Sequence, residues 1–202
     1  MRLAIILIVI FSVFKAQAAL ITIGSFSIDE TRFADSVVLV SGTSVKPPSN
    51  AEGFNFDTYV SVDTSSQIKA SFDNLQLLNG SGFDILVFEL AALEVMQMSL
   101  SIGGLSVSGS LIERVIGDPS LSRTVNIYGF DLSDFGISSG GSLISDLFLG
   151  SLADTPDIAA IAVLNGSDIG SGNGSISVSA PPTLMLLSLM LIFISTRKWK
   201  NS

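Results

Sequence analysis

The chain has 202 residues, with 18 acidic and ten basic side chains, 13 phenylalanines, and neither cysteine nor histidine. Without cysteine there is no disulfide framework, thiolate metal site or cysteine nucleophile; without histidine, Ser–His–Asp catalysis and histidine-based zinc sites are excluded. All 18 acidic residues lie between Asp29 and Asp168, beside five basic ones (Arg32, Lys46, Lys69, Arg114 and Arg123), so the middle carries 18 negative against five positive charges, near −13, where the whole chain carries −8. Such a surface repels phosphate backbones, so nucleic acid is not an expected partner.

The first element is a signal peptide over residues 1–18. Met1-Arg2 is a short basic start, and Leu3 to Phe14 is apolar except for Ser12. Lys15 follows, and then Ala16-Gln17-Ala18-Ala19, a small-x-small cleavage site. Cleavage after Ala18 makes Ala19 the new N-terminus. Export through a translocon and cutting by a signal peptidase are the expected first steps. The apolar run is short for a stable span, which favours a cleaved signal helix over an anchor.

Residues 19–164 read as one all-β domain. Leu20 to Phe26 and Val37 to Val40 are rich in β-branched residues and are predicted strands. Ile68 to Asp73 alternates apolar and polar residues, as a half-buried strand does. Asp84 to Leu90 is more continuously apolar, the pattern of a strand covered on both faces. Glu94 to Ile102 alternates most clearly, with Met96, Met98, Leu100 and Ile102 against Gln97, Ser99 and Ser101. Thr124 to Ile127 alternates again, whereas Ile137 to Leu152 fits a short helix or another strand pair. Gly140-Gly141 argues against a continuous helix there. Asn79-Gly80 and Gly103-Gly104 are turn signals. Many short strands separated by Gly, Ser and Asn predict a β-sandwich, with jelly-roll topology the leading expectation.

Residues 165–179 are rich in Gly and Ser and read as a flexible linker. Residues 180–202 form the last segment. Ala180 to Thr196 gives 17 mostly apolar residues, about 25 Å of helix at 1.5 Å per residue. That is the lower limit for a transmembrane helix. Arg197, Lys198 and Lys200 follow, with Trp199 among them; positive charge stays on the cytoplasmic side, so the β domain faces out.

The tail resembles the PEP-CTERM sorting signal of Gram-negative bacteria: a Pro-Glu-Pro motif, a short hydrophobic helix and a basic cluster. The matching stretch is Val178-Ser179-Ala180-Pro181-Pro182-Thr183-Leu184, then the apolar helix, then Arg197-Lys198-Trp199-Lys200. Aligned on Thr183-Leu184, Pro181 takes the place of the second proline, while Ser179 and Ala180 replace the first proline and the glutamate. Four segments of the middle are similar to recurrent segments of such exported proteins: Arg32 to Val38, Ser81 to Glu89, Tyr128 to Gly136 and Pro156 to Ile161. The resemblance implies an exosortase-type sorting protease as partner, cutting near Pro181 and passing the domain to the cell surface or extracellular matrix. It implies no catalytic residues. A permanent single-pass inner-membrane anchor is the alternative fate of the tail.

Candidate sites within the domain are few. Asp84 and Glu89 bracket one strand, and their spacing of five sends the side chains to opposite faces. A glycosidase pair would need them converging about 5 Å apart, so the reading is polar groups that bond to turns. Calcium is the one cofactor the loops suggest, through Asp57, Asp63, Asp73, Asn74, Asp131, Asp134, Asp154 and Asp157, although no EF-hand loop is present. Phenylalanines read as core. Tyr59 and Tyr128 are the only tyrosines and the single Trp lies in the tail, which leaves little aromatic platform for sugars. The expected function is thus a non-enzymatic, exported surface or matrix protein, with extracellular polysaccharide as an expected partner. A membrane-anchored glycan- or calcium-binding adhesion module is the second expectation.

Overall fold

The computed structural model describes residues 19–73, 75–90, 97–117, 121, 123–143, 146–153 and 155–169. The signal segment 1–18 with Ala16 and Ala18, and the tail with Pro181, Pro182, Thr183, Leu184, Arg197, Lys198 and Lys200, lie outside them. Among the described residues there is no α-helix, only strands and three short 3-10 turns, and no helix long and apolar enough to cross a membrane.

The chain opens with a hairpin of β1 (Leu20–Ile23) and β2 (Phe26–Asp29). One strand was expected from Leu20 to Phe26. Gly24, at φ +57°, breaks it, because a left-handed residue reverses the chain cheaply only without a Cβ. There follow β3 (Ser36–Ser41), β4 (Val60–Ser61), β5 (Gln67–Ser71) and β6 (Leu75–Leu78). Then come β7 (Ile85–Leu90), β8 (Gln97–Ile102), β9 (Leu105–Ser108), β10 (Ser110–Val115) and β11 (Val125–Phe130). The last four are β12 (Ser142–Leu143), β13 (Leu147–Ala153), β14 (Asp157–Val163) and β15 (Gly166–Asp168). Gly103 and Gly104, both at positive φ, turn β8 into β9, as the paired glycines predict. The undecided stretch Ile137 to Leu152 supplies β12 and β13 rather than a helix.

Two five-stranded antiparallel sheets dominate this β-sandwich-like fold. One has the order β10-β11-β7-β14-β4, the other β3-β5-β13-β8-β9. Both feed one apolar core. Ile85, Val87, Tyr128, Phe130, Ile161 and Val163 come from the first sheet; Val37, Ile68, Met98, Leu100, Leu147 and Leu149 come from the second. The first sheet has a second core on its other face. There Leu86, Phe88, Leu90, Val125 and Ile127 pack with Ile23 and Ile28 of the opening hairpin and with Phe33 and Phe56. The Phe33–Phe88 and Phe56–Phe88 rings lie 6.1 and 5.6 Å apart, so these phenylalanines are core, as expected. This double covering explains β7, which is buried at every position.

One boundary differs from the sequence reading. The linker was expected from Asn165, yet β15 pairs with β6 through Gly166↔Leu77, Ser167↔Gln76 and Asp168↔Leu75. Gly and Ser read as a spacer here, but a Cβ on Gly166 would stand 2.9 Å from Leu75 Cδ1 and crowd Arg32. The glycine serves close approach of the backbone, not flexibility.

Candidate functional site

Among the described residues, the two buried carboxyl groups, Asp84 and Glu89, lie at the two ends of β7. Asp84, just before the strand, is fully buried. Its Oδ1 accepts from the Gly80 N–H at 2.7 Å and from the Asn165 side-chain amide at 2.8 Å; its Oδ2 accepts from the Leu132 N–H at 2.9 Å. Its backbone N–H donates to Phe130 and its carbonyl accepts from Leu164. One carboxylate therefore ties together the turn before β7, the 3-10 turn after β11 and the chain leaving β14. The expectation of a polar group bonding to turns holds for this residue.

Glu89, near the other end, is equally buried. It shares strand parity with Ile85 and Val87, whose side chains face the inter-sheet core. Register sets its neighbours: Asn126 of β11 stands directly opposite Glu89, and Arg114 of β10 stands opposite Asn126. The result is a polar row across three strands. Arg114 Nε donates to Asn126 Oδ1 at 2.8 Å, and Asn126 Nδ2 donates to Glu89 Oε2 at 3.0 Å. The Tyr128 hydroxyl, diagonal on β11, donates to the same Oε2 at 3.1 Å. Glu89 Oε1 is buried and has no hydrogen-bond partner.

Burial pushes the Glu89 carboxyl above its ordinary range. The donors from Asn126 and Tyr128 pull it back, the negative charge of Asp157 adds to the rise, and Arg114 opposes it. Asp157 opens β14 and takes the Ser61 hydroxyl at 2.5 Å. Glu89 thus does not behave as a turn-bonding residue. It is a carboxyl held inside the sandwich on one oxygen.

The sequence did not point to Asn126, Tyr128 or Arg114. Thr124 to Ile127 alternates, which reads Asn126 as solvent-facing; instead β11 is buried along its whole length. The available signal was the unbroken length of Val-Asn-Ile-Tyr-Gly-Phe, too apolar on both parities for a strand with a wet face.

The residues named for calcium do not come together among the described residues. Asp63 accepts from the Thr43 hydroxyl at 2.6 Å, and Asp131 caps a 3-10 turn by accepting from the Ser133 N–H at 2.8 Å. The Asp73 N–H donates to Asp35 at 2.6 Å. Asn74 and Asp154 lie outside the described residues. Among the described residues no three acidic side chains gather as a metal cluster.

A second constellation lies on the surface beside β4. Lys46 Nζ stands 4.3 Å from the centre of the Tyr59 ring, and Arg123 Cζ stands 5.5 Å from it. The loop carrying Tyr59 is pinned: Asn50 donates to the Tyr59 carbonyl at 3.0 Å, and the Thr58 hydroxyl donates to the Asn50 carbonyl at 3.0 Å. Comparison with protein-family models, curated proteins and solved structures found no match.

Proposed function

We propose that the protein is an exported, non-enzymatic surface or matrix protein whose β domain is delivered by a cleavable signal and a C-terminal sorting tail. One observation carries the reading. Ala19, the first residue behind the expected cut after Ala18, is already part of the fold: its carbonyl accepts from the Glu30 N–H at 3.0 Å, and β1 begins at Leu20.

The wiring supports a jelly roll as the domain type. The orders β4-β14-β7-β11 and β5-β13-β8-β9 send the chain back and forth between two layers, with one hairpin, β8–β9, inside a layer. The added strands β10 and β3 sit at the edges. The non-enzymatic reading draws on the two carboxylates of β7, which have separate partners at opposite ends of the strand, whereas glycoside cleavage needs a convergent pair. The tail, with Pro181, Pro182, Thr183 and Leu184 before the helix and Arg197, Lys198 and Lys200 after it, then serves as a temporary hold that an exosortase-type protease releases.

Intact mass of the protein from membrane and surface fractions tests this. The expected surface species lacks residues 1–18 and everything beyond the region of Pro181. A single species lacking residues 1–18 alone, confined to the membrane fraction, contradicts sorting and leaves the permanent anchor. A species retaining residues 1–18 contradicts the signal peptide.

A further inference from the structure

The Lys46–Tyr59–Arg123 constellation has no role in the export reading and none in the core. Basic side chains are scarce in this domain, five against 18 acids. Three of the five are committed or enclosed: Lys69 pairs with Asp146 at 3.1 Å, Arg114 bonds Asn126, and Arg32 has a buried guanidinium nitrogen. The other two, both exposed, converge on one tyrosine ring from separate loops. Neither has a carboxylate partner among the described residues. Two exposed cations sharing one ring stand out in a domain that carries 18 acids against five bases.

The tyrosine ring attracts each of them, since a cation over an aromatic ring is drawn to its negative quadrupole. What remains is one ammonium and one guanidinium within 4.3 and 5.5 Å of the same ring centre, on a tyrosine whose own loop is pinned. This is the donor set that takes a carboxylate, sulfate or phosphate oxygen. The surrounding negative field argues against a long polyanion, which would be repelled along its length. A single anionic group on an otherwise neutral ligand suffers little of that repulsion.

We infer that Lys46, Tyr59 and Arg123 form an oxyanion-binding site, suited to an isolated acidic group such as the carboxylate of a uronic acid residue in a neutral glycan. The site stands on its own geometry and holds whether the tail is cut or kept.

The protein's two tyrosines make the test direct. In the full chain in detergent, labelled at tyrosine, Tyr59 reports the site, while Tyr128, buried in the core, reports the fold. Methyl glucuronide, methyl glucoside and sodium sulfate are titrated separately at constant ionic strength. Expected is a saturable shift of the Tyr59 signal with glucuronide, none with glucoside, and an unmoved Tyr128 signal. Saturation by sulfate as well assigns a general oxyanion site; glucuronide alone assigns the acidic sugar. Lys46→Gln and Arg123→Gln each lose the shift, with the Tyr128 signal unchanged as proof of folding. Tyr59 shifts with neither anion, or shifts retained in both variants, overturn the proposal.

Discussion

Asp84 and Glu89 stand five residues apart at the two ends of one strand, both sealed from solvent, and the fold treats them in opposite ways. Asp84 has both oxygens occupied, by two backbone N–H groups and one side-chain amide. Glu89 has one oxygen occupied twice and the other not at all. A buried carboxylate is stabilising only when its lone pairs are met, so the first joins chain segments while the second strains the core it occupies. Identical burial thus says nothing about contribution to stability; the donor count at each oxygen decides it.

The largest effect that separates the two should come from truncating the satisfied one. Asp84→Ala strands three donors at once, the N–H groups of Gly80 and Leu132 and the amide of Asn165. With about 1–3 kcal/mol for each buried group left unpaired, the loss should reach about 3–5 kcal/mol in equilibrium denaturation. A loss under about 1 kcal/mol would mean that water takes over the three donors and that the tie is dispensable.

Tyr128→Phe is a milder probe at the other end. It keeps the ring that packs in the core and deletes the hydroxyl on Glu89 Oε2. The expected cost is about 1 kcal/mol, the ordinary net value of one hydrogen bond. The carboxyl should then titrate still higher, because one donor that favours its charged form is gone. A titration by carboxylate-selective NMR that moves downward would remove Tyr128 from the network.

How far the sequence foretells this contrast follows from what each site depends on. Asp84 is legible in part, because one partner, Gly80, sits in the turn that Asn79-Gly80 signals, and because the apolar run after it marks a strand covered twice. Glu89 is not legible, since its environment is made by register. Only when β10, β11 and β7 align do Arg114, Asn126 and Glu89 fall in one row. No spacing along the chain encodes that alignment. The same limit hides the Tyr59 site, whose two cations reach one ring from distant loops. The Gly/Ser stretch fails for another reason: composition cannot tell a glycine kept for flexibility from one kept for close packing, and Gly166 is the latter.

The smallest effect in magnitude is the most telling in sign. Glu89→Gln preserves an oxygen for Asn126 and Tyr128 and places an uncharged group where Oε1 stands without a partner. At acid pH, where wild-type Glu89 is itself neutral, the two proteins should differ by less than about 1 kcal/mol. The folded chain holds this proton more tightly than the unfolded chain, since burial raises the carboxyl. Its contribution is therefore fully present below the unfolded value and is lost as pH rises through the folded one. The Gln variant lacks that loss, so it should overtake wild type on the way to neutral pH. Asp146 acts in the reverse sense: the Ser71 hydroxyl and then Lys69 hold it below the ordinary range, so its contribution is lost as pH falls. It is well exposed and present in both proteins, so it cancels in their difference. Urea midpoints of the pair across the carboxylate range give that difference directly. A gap that does not widen with pH would show that Glu89 carries no excess proton in the folded chain, and that the two ends of β7 are closer in kind than their donors imply.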